Sequence, residues 1–202
     1  MILLDNPGHS DFFQPILHFD YWLFGIINQR WTSRFLDILF PLLREAEIWV
    51  PFYLFLLVYS TLNFGKKGWW WSAALIMTAI ISDLTSSALI KNTIFRLRPC
   101  HEPALAGTAR LLVIYCPNSS SFTSSHACNH FAVSMFIFLT LRKISRGWRL
   151  IFLWAALICY AQVYVGVHYP FDILGGAIVG CGIGYGMSVL FHRQKGSLSL
   201  QQ

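Results

Sequence analysis

The stretch Gln162-Val-Tyr-Val-Gly-Val-His168-Tyr-Pro170-Phe-Asp172 closes one apolar run, Leu150 to Val167, and opens another, Ile173 to Phe191. Each run approaches the roughly 20 apolar residues that cross a bilayer as a helix. Pro170 lacks an N–H and its ring clashes with the preceding turn, so one helix cannot run through the stretch. The chain must therefore turn here, leaving a histidine and, four residues later, an aspartate at the edge of a membrane-length pair. Ionisable groups near hydrocarbon are costly and usually functional. The competing reading is an ordinary interfacial histidine satisfied by its neighbours.

Working outward, Ile48 to Phe64, Trp69 to Leu89 and His126 to Leu141 read as three further spans. Phe12 to Ile27 and Phe35 to Leu43 are apolar at roughly helical spacing but too short to cross, which predicts amphipathic helices lying along the surface; a tilted hairpin or one span is the alternative. The expected fold is all-α, a polytopic transmembrane helical bundle of about five to six spans with N-terminal amphipathic helices. The expected organisation is an N-terminal segment 1–46, a membrane domain 47–196 and a disordered tail 197–202. Composition agrees, with 55% hydrophobic and only 12% charged residues. The +6 balance does not form a basic stripe interleaved with aromatics, so nucleic acid is not an expected partner. The N-terminus lacks the pattern of a removable signal peptide.

Charge sorts by side. Lys66, Lys67, Arg142, Lys143, Arg146, Arg149, Arg193 and Lys195 fall at the same ends of alternating spans, which the positive-inside rule assigns to the cytoplasm. The polar segment 91–125 and the 168–172 turn then share the opposite face. In the last span, Gly176, Gly180 and Gly184 form a small-residue seam suited to close helix packing.

Three clusters meet on that opposite face. Lys91 and Arg98 bring a point charge and a planar fork matched to phosphate oxygens, although basic residues at a helix end also snorkel. Ser124, Ser125 and His126 open the third span, where hydroxyls and free N–H groups make either an anion site or a plain N-cap. Asp172 can hold His168 in one tautomer and free the other ring nitrogen for attack. Two histidines among several cations suggest phosphoryl transfer, with His168 as nucleophile and His126 as acid and then base. A zinc site on His126, His130 and His168 is the competing reading, disfavoured by the nearby cations.

These residues resemble a known family. Lys91 spaced to Arg98-Pro99, Ser124-Ser125-His126, and His168 with Asp172 are similar to the three signature motifs of the type 2 phosphatidic acid phosphatase (PAP2) superfamily, over about residues 69 to 190. The resemblance implies a helical membrane bundle that removes phosphate from lipid phosphates or diphosphates without metal or other cofactor. It gives Lys91, Arg98 and Ser124 phosphate-binding roles, His126 the acid role, and His168 the nucleophile role oriented by Asp172; Ser125 is added to the phosphate-binding set through its backbone N–H. Two motifs depart from the pattern. Thr123 and Ser125 replace the usual proline and glycine, and Ala161-Gln162 replaces the usual serine and arginine. Gln162 can donate to a phosphate oxygen but brings no charge; Arg96 and Arg110 are the candidates to compensate.

Cys100 and Cys116 bracket an outer loop and can form a disulfide or remain two thiols. Asp83 is expected to point into the bundle and act on Lys91. The resulting expectation is an integral-membrane lipid phosphatase of a bacterial inner membrane, with its site on the periplasmic or extracellular face and the bilayer and a membrane lipid phosphate as its partners. Undecaprenyl diphosphate is the first substrate; phosphatidylglycerol phosphate, phosphatidic acid and lipid A phosphates follow. A lipid-to-lipid phosphotransferase and a weakly active lipid-phosphate-binding protein are the alternatives of another class. Oligomeric state is left open.

Overall fold

The computed structural model describes residues 14–200. Phe12 and Phe13, the start of the first apolar run, lie outside them, as do Gln201 and Gln202. Five long helices form the bundle. α1 (Gln14–Gly25) continues as a π turn to Arg30, and α2 (Arg34–Leu43) follows, capped by Ser33 Oγ accepting from the Leu36 N–H. The five are α3 (Val50–Phe64), α4 (Lys66–Thr93), α5 (Ser125–Leu141), α6 (Ile151–Tyr164) and α7 (Pro170–Lys195). With their flanking turns, α3, α4, α6 and α7 are long and apolar enough to cross a membrane, and α5 is a shorter apolar helix of 17 residues. These are the five expected spans, with two boundary shifts. α4 runs on through a π turn over Thr85–Ile90 to Thr93, so Lys91 stands on the helix rather than after it. α6 stops at Tyr164, and Gly166 takes a positive φ of 90° in the turn that leads to His168.

Pro170 is the first residue of α7, where its missing N–H costs nothing. The Asp172 carboxylate accepts the Tyr169 N–H at 2.8 Å, which closes the first turn. The glycine seam lets α7 lie directly on α5. A Cβ at Gly180 would stand 2.2 Å from the Cys128 carbonyl oxygen, and one at Gly184 equally close to that of Ala132. That approach fixes the distance between the helix carrying Asp172 and the helix that begins at Ser124.

The two ends of the bundle differ. At one end Leu56, Trp71, Phe136, Leu141 and Phe191 make an apolar cluster beneath the basic residues, and Lys195 caps the Trp70 ring at 3.9 Å. Leu198 is buried in that cluster, so the stretch from Ser197 is anchored at least that far. At the other end Phe24, Ile27 and Phe40 from the N-terminal helices close over Tyr164, Val167 and Tyr169. α1 and α2 thus cover the 168–172 turn. They also bury Asp20 and Asn28, which an amphipathic pattern alone does not foresee. Large apolar side chains such as Leu62, Phe95 and Ile178 stand exposed around the outside, as a lipid-facing surface requires.

Candidate active site

His168 sits at the centre of the polar end, almost fully buried. Arg98 Nη1 lies 3.2 Å from its Nε2. Arginine has only donors, so Nε2 is the nitrogen with the lone pair and Nδ1 carries the proton. Nδ1 faces Ser121 Oγ at 3.4 Å and Asp172 Oδ2 at 3.6 Å. Burial pushes the imidazole down to about 4; Asp172 opposes this, and the charges of Arg98 and Lys91 add to it. His168 is therefore neutral at pH 7, with its free lone pair directed at a guanidinium.

Arg98 is held rigidly. It donates to the Ser119 carbonyl (2.9 Å), the Val167 carbonyl (3.0 Å) and Ser119 Oγ (3.1 Å). None of these is an anion, so its charge remains available to a ligand. Burial lowers the proton affinity of Arg98; nearby Asp172 opposes this, and the positive charge of Arg44 lowers it further.

Asp172 is fully buried and fully engaged. One oxygen accepts from Arg96 Nη1 at 2.7 Å, and the other accepts from Ser121 Oγ at 2.5 Å and the Tyr169 N–H. Arg96 turns its second nitrogen to Asp20 on α1, at 2.6 Å, and lies 4.1 Å over the Tyr169 ring. Asp20 also accepts the Phe171 N–H at 2.9 Å. Burial opposes the charge of Arg96, but the two carboxylates outweigh it and raise its proton affinity. Arg96 is thus committed to carboxylates and is not the free cation expected to offset Gln162. Arg110 is committed as well, to Asp37 at 2.6 Å and the Asn28 carbonyl at 3.2 Å.

Ser124 is the N-cap of α5, its hydroxyl accepting the Ala127 N–H at 3.4 Å while its own N–H donates to the Asp172 carbonyl at 3.1 Å. The cap and the expected site thus coincide, and the bond to Asp172 ties the second motif to the third. Ser125 Oγ accepts from Ser86 at 2.9 Å, a contact delivered by the π turn of α4. His126, on the first turn of α5, lies within electrostatic range of His168, Lys91 and Arg44. Gln162 is fully buried on α6, and among the described residues neither its amide nitrogen nor its oxygen has a hydrogen-bond partner.

The structure bears on three further readings. His130 spends Nδ1 on the His126 carbonyl at 2.8 Å and packs on Trp154, so among the described residues it does not converge with His126 and His168 as a zinc ligand set. Asp83 faces the cavity between α3, α4 and α5, as expected, where it accepts from Asn129 on α5 at 3.0 Å and lies within electrostatic range of Lys91. Cys100 and Cys116 are joined in a disulfide with Cα atoms 6.2 Å apart. Asp20 is one residue that sequence reasoning missed. Its only signal was an acid interrupting an apolar helix.

An apolar cavity of about 720 Å³ opens between α3, α4 and α5. Leu54, Leu57 and Ile80 line its length, and Ser125, His126 and Arg44 stand at its polar part. Its volume and apolar lining are those of a slot that can take a hydrocarbon chain.

Comparison with known proteins agrees with this geometry. Residues 67–195 match the model of the PAP2 superfamily. The chain is 31% identical over 152 residues to a lipid A 4'-phosphatase of Bacteroides thetaiotaomicron, covering 73% of this chain and 66% of the relative. It is 32% identical over 105 residues to the undecaprenyl-diphosphatase BcrC of Bacillus subtilis, covering 52% and 50%. It therefore spans less than two thirds of the length of these curated relatives. The fold also matches the crystal structure of a transmembrane PAP2-type phosphatidylglycerolphosphate phosphatase from Bacillus subtilis. There the TM-score is 0.67 at 18% identity, over 93% of this chain and 90% of the other. On its motifs and on the match of residues 67–195, more than half of the chain, to the family model, the chain belongs to the PAP2 superfamily.

Proposed function

We propose that this protein is an integral-membrane phosphatase that cleaves a phosphate ester or anhydride of a lipid through a phosphohistidine. The observation that carries the reading is the disposition of His168, neutral and buried, with Nδ1–H toward Asp172 and the Nε2 lone pair toward Arg98. A phosphoryl group bound to Arg98, Lys91, Gln162, the side chain of Ser124 and the N–H groups opening α5 has phosphorus in front of Nε2. Nε2 bonds to phosphorus as the bond to the lipid oxygen breaks, and that oxygen takes a proton from His126. The bound dianion favours the imidazolium His126 needs for this step. Water then attacks the phosphohistidine, His126 accepts its proton, and inorganic phosphate leaves. Asp172 stabilises the imidazolium character that develops on His168.

The cavity beside His126 supports a lipid substrate that enters sideways from the bilayer. The basic residues at the opposite end support a site facing away from the cytoplasm, and the disulfide fits an oxidising compartment on that face. We take 47–196 as the catalytic domain and 1–46 as a segment that completes its polar end. For the head group, undecaprenyl diphosphate is the sequence-based expectation. The longer match to a lipid A 4'-phosphatase favours lipid A phosphate as a second reading.

The test is phosphate release by the purified protein in detergent with EDTA. Undecaprenyl diphosphate, lipid A, phosphatidylglycerol phosphate and phosphatidic acid are compared, each beside His168→Ala. Release in EDTA that the substitution abolishes is expected, and the panel ranks the substrates. Release that EDTA stops would overturn the metal-free route, and folded protein inert on every lipid would overturn the phosphatase reading.

A further inference from the structure

Position 162 holds a neutral amide where the family's third motif usually has an arginine, and the structure accounts for the cations able to replace it. Arg96 is spent on Asp20 and Asp172, and Arg110 on Asp37. Arg44 is different. It follows the last turn of α2, well before the family match begins at residue 67. Its side chain is 16% exposed, and its single ionic partner among the described residues is Glu45, at 3.9 Å and itself 54% exposed. Its Nε is buried without a hydrogen-bond partner. It lines the same cavity as Ser125 and His126, and its charge reaches Arg98. A mostly buried guanidinium with unspent donors, lining the same cavity as the histidine expected to protonate the leaving group and within electrostatic range of it, is arranged for an anion.

We infer that Arg44 supplies, from the N-terminal segment, the phosphate-binding guanidinium that position 162 lacks. The inference rests on the phosphatase reading above and adds a residue to it. Arg44 enters the site from the cavity side, whereas Gln162 lies on α6. The two then share the work: Gln162 contributes a neutral hydrogen bond, and Arg44 the charge.

The experiment measures inhibition by orthovanadate, a mimic of the transferring phosphoryl group, together with kcat and KM on the best lipid. Wild type is measured first: if it neither turns over lipid nor responds to vanadate, the phosphatase reading itself falls. Given an active wild type, Arg44→Gln is expected to weaken vanadate inhibition and kcat/KM together by about tenfold to a hundredfold, the range of one charge-assisted hydrogen bond. Adding Gln162→Arg to that variant should recover most of the loss, while Gln162→Arg alone should gain little. A merely structural arginine would not produce that coupling. Unchanged vanadate affinity in Arg44→Gln, or a double variant no better than the single, overturns the inference. Should Arg44→Gln not fold, Arg44→Lys decides, since it keeps the charge and loses the fork. Vanadate inhibition weakened severalfold with the unfolding temperature unchanged supports the role, and unaltered inhibition overturns it.

Discussion

Two arginines tie the N-terminal helices to the polar end of the bundle, in different surroundings. Arg96 joins Asp20 and Asp172, both fully buried, through bonds of 2.6 and 2.7 Å. Arg110 joins Asp37 through a bond equally short, but these side chains keep 28% and 32% of their exposure. Distance alone makes the clamps look alike, and solvent separates them. Breaking a buried pair leaves a charge that water cannot reach, whereas breaking an exposed one returns both groups to water. The buried clamp also touches the carboxylate that faces His168. The exposed one touches Tyr164 and Asn28, where the backbone of residue 110 stays pinned by the Asn28 amide whatever its side chain is.

This difference predicts an order of effects. Arg96→Ala strands two buried carboxylates and is expected to destabilise the fold by about 3–5 kcal/mol and to cut phosphate release by two orders of magnitude or more. Thermal unfolding in detergent beside Arg110→Ala checks it, and equal loss in the two variants would break the comparison. The pH profile sharpens it. His168 is neutral above about 4, so wild-type kcat/KM should fall as pH drops through about 4, where protonation removes the lone pair. Weakening the positive charge beside Asp172 favours the imidazolium, so Arg96→Lys, with its looser contact, should move that acid limb to higher pH. A limb that does not move would mean that Arg96 acts on packing alone. Asp20→Asn keeps the shape and leaves Arg96 paired with Asp172; it should cost about 1.5–3 kcal/mol, the range of one hydrogen bond to a charged group, with a severalfold loss of rate. Arg110→Ala comes last, at no more than about 1 kcal/mol and less than about twofold in kcat/KM.

The fold was legible because membrane helices announce themselves by length. The five apolar runs, the break at Pro170 and the glycine seam each appear where the sequence puts them. His168, Asp172, Arg98 and Ser124 were legible as a group because their spacing and types match one chemistry, and the helix turns bring them to one end. Asp20 and Arg44 were not. Their stretch lacks a spanning pattern and lies outside the family match, and an acid or base in such a stretch reads as surface until its neighbours are known.

By itself, the sequence determined the spans, the end at which the basic residues gather and the residues grouped at the polar end, since each follows from local composition and from helix periodicity. Only the tertiary structure decided which arginine serves which anion. Arg96 meets partners 76 residues away on either side, and Arg110 one 73 residues away. Such pairings depend on how helices distant in the chain come to lie against one another. A guanidinium is compatible with any carboxylate or phosphate, so the geometry of assembly makes the choice.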